Sequence, residues 1–163
     1  MLAPLARRAP RVAAALRSAP PIPRAHRFTR HLVRTQSTMS DQTIIFTKDA
    51  PAALGPYSQA IKTPTAIYCS GQIPLTPEGE FIQGTIGEKT RQCCKNLQAV
   101  IEEAGSSMTK VVKVTIFLSD MEHFAAMNAE YEQWFSHKPA RSCVAVKTLP
   151  KNVDVEIEAI ALP

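Results

Sequence analysis

An arginine and a cysteine in the segment "PARSCVAV", residues 139–146, carry side chains that could bind a ligand or react. Successive side chains of a strand point to opposite faces, so Arg141 and Cys143 share one face, and Ser142 and Val144 share the more apolar one. An arginine on a partly desolvated face needs an anionic partner, because an unpaired buried charge is costly. That partner is either a carboxylate of this chain or a ligand carboxylate, which the planar guanidinium can grip with two parallel hydrogen bonds.

Two glutamates in the last apolar segment, "VDVEIEAIA" at residues 153–161, are candidates for an internal partner. The alternation places Glu156 and Glu158 on the face opposite the valine and isoleucine side chains. We expect Arg141, Cys143 and Glu156 to share the sheet face that lies away from the helices. The residue pattern alone favours a structural ion pair between Arg141 and one of the two glutamates.

Three further segments contain polar or small residues that could line a ligand site. Tyr57 follows Gly-Pro in "GPYSQA", Ser70 and Gly71 end a strand in "CSGQ", and Asn128 interrupts the apolar stripe of a helix, four residues after Phe124. Each has an ordinary structural explanation: a turn with a packed aromatic ring, a strand end, and an amide that bonds a neighbouring loop. Taken singly, these features are weak evidence for a site.

The elements that would position these residues follow from periodicity, capping residues and turn signals. The order predicts an α+β fold in which two helices cover one face of a mixed sheet. The first helix begins with a capping box of Thr85 and Glu88 and ends at Gly105, and a second box of Ser119 and Glu122 precedes the other helix. The predicted strands are 43–47, 66–72, 111–120, 141–147 and 153–162, with a further short strand near 59–62, and the predicted helices are 85–105 and 121–135.

The sheet face without helices is expected to be mixed in character. This face is too polar to be a core and too apolar to stay exposed to solvent, which predicts self-association of the chain. The residues expected on it are Lys113, Thr115, Phe117, Arg141, Cys143, Glu156 and Glu158.

The N-terminal segment differs in composition from the rest of the chain. The first 40 residues contain eight arginines, no lysine and no acid, which is typical of a mitochondrial transit peptide. The predicted organisation is therefore a disordered, cleaved transit peptide at 1–39 and one domain at 40–163. We expect a protein of the mitochondrial matrix, with a minor cytosolic form that starts at Met39.

Composition also excludes several classes of function. Without the leader, Lys and Arg fall from 19 to 11 while Asp and Glu stay at 14, so the body carries about −3 rather than +5. Binding to a phosphate backbone needs a basic surface, so a nucleic-acid partner is not expected. No apolar run approaches the roughly 20 residues of a membrane span. The four cysteines form no C-x-x-C pair and the histidines are not ligand-spaced, so we expect free thiols, no metal and no cofactor.

Six segments, in this order across residues 44–162, resemble the reactive-intermediate deaminase family, RidA or YjgF: "GPYSQA", "YCSGQIPLTPEGE", "NLQAVIEEAG", "VVKVTIFLSDMEHFAAMNAEYEQWF", "PARSCVAV" and "VDVEIEAIA". The resemblance implies a chorismate-mutase-like α+β fold and a homotrimer with a site in each cleft between subunits. It implies hydrolysis of 2-imino acids, namely 2-iminopropanoate (in equilibrium with 2-aminoacrylate) and 2-iminobutanoate, to 2-keto acids and ammonia. Such an enzyme protects pyridoxal-phosphate enzymes and supports isoleucine biosynthesis.

The resemblance also implies roles for individual residues. Arg141 would bind the substrate carboxylate, the backbone of Cys143 would position the imine, and Glu156 would hold the attacking water. The remaining family positions correspond to the substrate-binding residues Tyr57, Ser70, Gly71 and Asn128. One departure is Ala145, where many relatives have an acid; its loss could alter the charge of the pocket or the subunit packing.

Two other functions have been attributed to this family. One is an endoribonuclease or translation inhibitor, which the negative body and the absence of a histidine pair argue against. The other is a non-catalytic, chaperone-like trimer that binds ligands. Release of keto acid in a threonine dehydratase reaction would separate an enzyme from a binding protein.

Overall fold

The computed structural model describes residues 41–163, so the predicted transit peptide and Met39 lie outside the described residues. The described part contains six strands and two α-helices in the predicted order, including the short strand near 59–62. Three 3₁₀ turns, at 108–110, 121–123 and 150–152, connect them. The elements are β1 Thr43–Ile45, β2 Ala60–Lys62, β3 Ile67–Gln72, α1 Ile86–Glu103, β4 Val111–Leu118, α2 Phe124–Trp134, β5 Ala140–Ala145 and β6 Val155–Ala161.

The strands form a single mixed sheet in the order β1-β2-β3-β6-β4-β5. Every neighbouring pair is antiparallel except β4 and β5, which are parallel. A parallel pair needs a crossover connection, and α2 supplies it. The α+β prediction is therefore confirmed, and β5 is left at the edge of the sheet.

The ends of the helices confirm one capping prediction and correct the other. At the start of α1, the Glu88 N–H donates to Thr85 Oγ1 at 3.3 Å, and the Thr85 N–H donates to the Glu88 carboxylate at 2.8 Å. The second predicted box is wrong, because the carboxylate of Asp120, not Ser119, accepts from the Glu122 N–H at 2.8 Å. It caps a 3₁₀ turn, and the α-helix begins only at Phe124.

The core lies between the sheet and both helices, which cover the same face. Alternate residues of β4 and β6 are fully or almost fully buried there against apolar side chains of α1 and α2. Burying one such side chain stabilises the fold by about 1.5–3 kcal/mol. The central members are Val114, Ile116, Leu118, Val155, Ile157, Leu97, Ile101, Met127 and Phe135.

A β-bulge at the start of β4 reverses one predicted orientation. The register shifts between Val111 and Lys113 relative to β6. Val111 is buried, whereas Val112, which strict alternation with Val114, Ile116 and Leu118 would place on the buried face, is 42% exposed. The extra residue of a bulge interrupts the alternation of faces, so Val112 is displaced from the core.

The two faces of β5 are also opposite to the prediction. Arg141 is paired with Val114 and Cys143 with Ile116, both of which face the core. Paired residues of neighbouring strands point to the same face, so Arg141 and Cys143 lie on the helix-covered side. Glu156 is paired with Phe117 on the open face. The expectation that Arg141, Cys143 and Glu156 share the open face is therefore wrong.

An ion pair between a half-exposed arginine and a buried carboxylate fixes α2 against α1. Arg91 donates to both carboxylate oxygens of Glu130, at 2.9 and 2.6 Å, and the Trp134 indole N–H donates to the same carboxylate at 3.0 Å. The Arg91 guanidinium lowers the pKa of Glu130 through these hydrogen bonds, although burial opposes it. This contact orients α2, whose exposed edge carries Asn128.

Candidate functional site

Four of the candidate residues line one cleft on the open face of the sheet, which we call the Glu156 cleft. It has a volume of about 600 Å³. Tyr57 comes from the loop before β2, Ser70 and Gly71 from β3, and Glu156 from β6. The remaining lining residues are Leu54, Ile73, Pro150, Lys151 and Glu158.

The position of the Glu156 carboxylate depends on Gly71. The register between β3 and β6 shifts between Cys69 and Gln72, so Gly71 lies at an irregularity of the sheet. A Cβ atom on Gly71 would lie 1.9 Å from Glu156 Oε1, far inside van der Waals contact. Gly71 therefore allows the carboxylate to lie across β3.

The loop that carries Tyr57 is held by a buried side chain that sequence reasoning missed. The Gln59 amide accepts from the Thr47 N–H at 2.7 Å and donates to the carbonyls of Thr47 and Pro51 at 3.1 and 2.8 Å. The Leu54 N–H donates to the Tyr57 hydroxyl at 3.2 Å. The "Q" of "GPYSQA" was the available signal, since a buried glutamine must satisfy its amide.

The hydroxyl of Ser70 ties β3 to the same loop. Ser70 Oγ donates to the Ser58 carbonyl at 2.6 Å, and the Ser70 N–H donates to the Gln59 carbonyl at 3.0 Å. The Ser70 hydroxyl therefore already binds the loop. Ser70 and Gly71 can present mainly their backbone groups to a ligand in this cleft.

The Glu156 carboxylate is in an environment that favours its protonated form. Burial raises its pKa, and the neighbouring charge of Glu158 adds to that effect. Within residues 41–163, Glu156 forms no ion pair. Lys151 also lines the cleft, in a left-handed backbone conformation with φ of +56°, and its ammonium lies 5.8 Å from the centre of the Phe81 ring.

Arg141 and Asn128 form the second part of the site, on the opposite side of the sheet. Arg141 Nη1 donates to Asn128 Oδ1 at 2.7 Å. The guanidinium carbon lies 4.8 Å from the centre of the Tyr131 ring and 5.7 Å from that of Phe124. The amide of Asn128, which interrupts the apolar stripe of α2, is therefore hydrogen-bonded to Arg141.

The guanidinium borders a cleft of about 470 Å³, which we call the Arg141 cleft. Among the described residues Arg141 forms no ion pair, so the internal pair with Glu156 or Glu158 is not formed in this chain. A guanidinium carries five N–H donors, and its one hydrogen bond within residues 41–163 leaves several for a ligand. The lining residues are Asn128, Tyr131, Glu132, Phe135, Ser136, Lys138, Pro139 and Arg141.

Cys143 lies on the same face as Arg141, half-buried against the core. Burial raises the pKa of its thiol, and the charge of Arg141 offsets only part of this effect. The thiol is therefore protonated at neutral pH and is a poor nucleophile. Its backbone remains available to a ligand along the edge strand. Ala145 pairs with the core residue Leu118 and so lies on the same face as Arg141.

A small substrate cannot contact Arg141 and Glu156 of the same chain. Strand β4 lies between β5 and β6, and the two side chains point to opposite faces. Two strand spacings alone amount to about 10 Å. The structure thus brings Tyr57, Ser70, Gly71 and Glu156 together, and Arg141, Asn128 and Cys143 together, as two separate half-sites.

Residues 41–163 contain no group of three or more His, Cys, Asp or Glu side chains arranged to hold a metal ion. All four cysteines of this part of the chain are free. None of the helices in the same range has the length and apolar character needed to span a membrane.

Both half-sites lie in the part of the chain that is similar to known proteins. The sequence model of the family described as "Endoribonuclease L-PSP" matches residues 47–163. The chain is 49% identical over 146 residues to "Protein mmf1, mitochondrial" of Schizosaccharomyces pombe, covering 87% of this chain and 83% of that protein. The crystal structure of yeast Mmf1 matches with a TM-score of 0.73 and 48% identity, covering 74% of this chain and 98% of that one. The crystal structure of E. coli TdcF with bound serine matches with a TM-score of 0.71 and 40% identity, over 74% of this chain and 98% of that one.

Proposed function

The chain belongs to the Endoribonuclease L-PSP family, which includes the YjgF and RidA proteins, and from this premise we propose that it hydrolyses 2-imino acids to 2-keto acids and ammonia. The proposed substrates are 2-iminopropanoate, with its enamine tautomer 2-aminoacrylate, and 2-iminobutanoate. The observation that carries the proposal is the pair of half-sites: an arginine with free donors on one, and an unpaired carboxylate on the other.

The two half-sites imply that a complete site needs two copies of the chain. Arg141 is on edge strand β5, at the border of the chain, whereas Glu156 is on the open face. That open face exposes large apolar side chains, including Ile44, Tyr68 and Val144. Contact with a second copy would cover this surface and bring one chain's Arg141 toward the partner's Glu156. The proposed assembly is the homotrimer that the family resemblance implies, with three such sites.

The reaction needs positioning and proton transfer rather than a strong nucleophile. Arg141 holds the substrate carboxylate through its planar fork, and backbone groups near Cys143 and Gly71 orient the C=N bond. Glu156 accepts a proton as water adds to the imine carbon, which gives a carbinolamine. The imine nitrogen is protonated at the start, so this carbinolamine is neutral. Glu156 then returns its proton to the nitrogen, ammonia leaves as the C–N bond breaks, and the hydroxyl proton passes to the Glu156 carboxylate as the keto group forms. A carboxylate with a raised pKa suits these transfers.

A relative supports the substrate class. The structure of TdcF contains bound serine, a small amino acid with an α-carboxylate. The proposed imino acids have the same carboxylate on a carbon skeleton of similar size. We therefore propose that the half-site of Arg141 binds the carboxylate end of the substrate and that the half-site of Glu156 lies at the imine. The first half-site consists of Arg141, Asn128 and the Cys143 backbone, and the second of Tyr57, Ser70, Gly71 and Glu156.

The proposed location is the mitochondrial matrix. Relatives from two yeasts are named mitochondrial, and residues 1–39 have the composition of a transit peptide. In that compartment the enzyme would remove reactive imines that pyridoxal-phosphate enzymes release, and so support isoleucine biosynthesis. A minor cytosolic form would begin at Met39.

An endoribonuclease is the second candidate, because the family description and some solved relatives carry that name. The net charge of residues 41–163 argues against it, because this part of the chain has 11 basic and 14 acidic side chains, and binding to RNA phosphates needs a basic surface. RNA cleavage that is lost in Arg141→Ala would favour this candidate. A trimer that binds ligands without turnover would show neither reaction.

A coupled assay tests the proposal directly. Purified protein is added to a threonine dehydratase reaction, and release of 2-oxobutanoate is followed. We expect acceleration that scales with the amount of protein and disappears with Glu156→Gln. A wild-type protein that fails to accelerate release at any concentration would refute the deaminase assignment.

A further inference from the structure

Arg141 lies across one edge of α2 rather than projecting freely from the sheet. Phe124, Asn128 and Tyr131 are spaced by four and three residues, so they share one face of that helix. Phe124 and Tyr131 contact the guanidinium through their rings, and Asn128 contacts it through the amide oxygen. Three contacts on a single helix therefore define the orientation of one exposed side chain.

Tyr131 is the most rigid of these contacts. It is only 7% exposed, and its ring stacks on Phe135 with 4.4 Å between the ring centres. The preceding residue of α2, Glu130, is bonded to Arg91 of α1. The ring is thus fixed before any ligand binds, whereas an arginine on an edge strand would otherwise sample many rotamers.

The ring face, not the hydroxyl, is the part of Tyr131 that acts on Arg141. The Tyr131 hydroxyl is buried and makes no hydrogen bond to the residues that the structure describes. Burial raises the pKa of this phenol to about 12, so the group is neutral. The ring centre is 4.8 Å from the guanidinium carbon, within the range of a cation–π contact.

We propose that Tyr131 is a positioning residue for carboxylate recognition, and that its ring sets the plane of the Arg141 guanidinium. Asn128 fixes the rotation of the guanidinium within that plane, because it binds one N–H edge. The remaining N–H groups are then presented to the Arg141 cleft before the substrate arrives. This inference rests on the proposed function and identifies the origin of its carboxylate specificity.

Two substitutions of Tyr131 separate the ring from the hydroxyl. Tyr131→Phe keeps the ring face, and we expect the KM for 2-iminobutanoate and the Kd for 2-oxobutanoate to stay within about twofold of wild type. Tyr131→Leu keeps apolar bulk but removes the aromatic ring face. We expect both constants to rise about five- to thirtyfold, the upper part of the range for a cation–π contact, because the Tyr131 ring is buried. The change in kcat should be smaller, because Arg141 binds the carboxylate throughout the reaction.

A matched control removes packing from the same helix without touching Arg141. Met127 is fully buried in the core, so Met127→Ala should lower the melting temperature while leaving KM unchanged. If Tyr131→Leu does not fold, Tyr131→Met provides the same readout, since methionine fills irregular gaps. An unchanged KM and Kd in the Leu or Met variant would overturn the inference, as would an equal rise in Tyr131→Phe.

The binding measurement also keeps this inference separate from the proposed function. 2-Oxobutanoate carries the same carboxylate and can be titrated without turnover. A wild-type protein that binds it but does not hydrolyse imines would refute the deaminase assignment. The role of Tyr131 would then still be decided by the Kd values of the Phe and Leu variants.

Discussion

Arg141 and Glu156 lie on opposite faces of the sheet, with strand β4 between their strands. A deaminase that needs both groups on one substrate must take them from different copies of the chain. Each variant that lacks one of the two groups still carries the other. This relationship leads to a test by subunit mixing.

Coexpression of Arg141→Ala with Glu156→Gln chains should restore activity that neither variant has alone. In a mixed assembly of the proposed kind, some sites pair an intact Arg141 with an intact Glu156. With equal amounts and random assembly, about a quarter of the sites are of this kind. Keto-acid release from the purified mixture measures the recovery.

The control for this experiment pairs Arg141→Ala with a chain that carries both substitutions. No site in that mixture contains an intact Arg141, so it should remain inactive. Failure of the first mixture to regain activity, despite demonstrated mixed trimers, would contradict a site shared between copies.

Gly71→Ala should reduce turnover by about a hundredfold, because displacement of a catalytic group by 1 Å can have that effect. The new Cβ would lie 1.9 Å from Glu156 Oε1, so the carboxylate must move. Gly87→Ala is the control: Gly87 lies in the first turn of α1, and its new Cβ would be in ordinary van der Waals contact with the Thr85 hydroxyl oxygen, at 3.9 Å. Equal kcat values for the two variants would show that the position of Glu156 does not matter.

Arg141→Ala should abolish turnover while the proposed trimer remains folded and assembled, because the side chain makes no ion pair among the described residues. Arg141→Lys should recover little activity, since an ammonium cannot form the bidentate contact. Steady-state kinetics and size-exclusion chromatography test the two parts. Dissociation of the Ala variant into unfolded chains would instead indicate a structural role.

Glu130→Gln should lower the free energy of unfolding at pH 7 by about 1–2 kcal/mol, because it weakens a charged hydrogen-bond pair whose arginine is half-exposed. Arg91 lowers the pKa of Glu130, so this contribution is present above the unfolded-state pKa. It is lost as the pH falls through the folded-state value. The difference in the free energy of unfolding between wild type and Glu130→Gln should therefore become smaller from pH 7 to pH 4.

Urea unfolding at a fixed protein concentration measures this difference in the free energy of unfolding. Glu102→Gln is a suitable control, because within residues 41–163 the Glu102 carboxylate accepts only from the exposed Gln98 amide on the same helix. Its effect should stay within about 0.5 kcal/mol. A gap between wild type and Glu130→Gln that is independent of pH would contradict the ionic origin of the contact.

A chain that begins at Met39 should be fully active, because both clefts are formed by residues 54–158. Replacing Met39 with leucine in the full-length chain should deplete a cytosolic pool of the enzyme. Subcellular fractionation measures that pool. If it is unchanged, translation does not start at Met39.

The order of the elements and the identity of the candidate residues could be predicted from the amino-acid sequence alone. Capping signals such as Thr85 with Glu88, and alternation along each strand, depend on neighbours a few residues away, so they can be read from the chain. The same is true of the motifs that carry Arg141, Glu156 and Tyr57, whose roles the family resemblance supplied.

Which face of each strand packs against the helices, in contrast, depends on contacts between distant parts of the chain. Alternation tells which residues of a strand share a face, but not whether that face is covered; this is set by the register with other strands. On β5, the more apolar Val144 side looked buried, yet the register with β4 turned Arg141 toward α2. The partner of Asn128, the contact between Gly71 and Glu156, and the buried amide of Gln59 depend on the same long-range pairing. The division of the site into two halves follows from that pairing, and no local pattern encodes it.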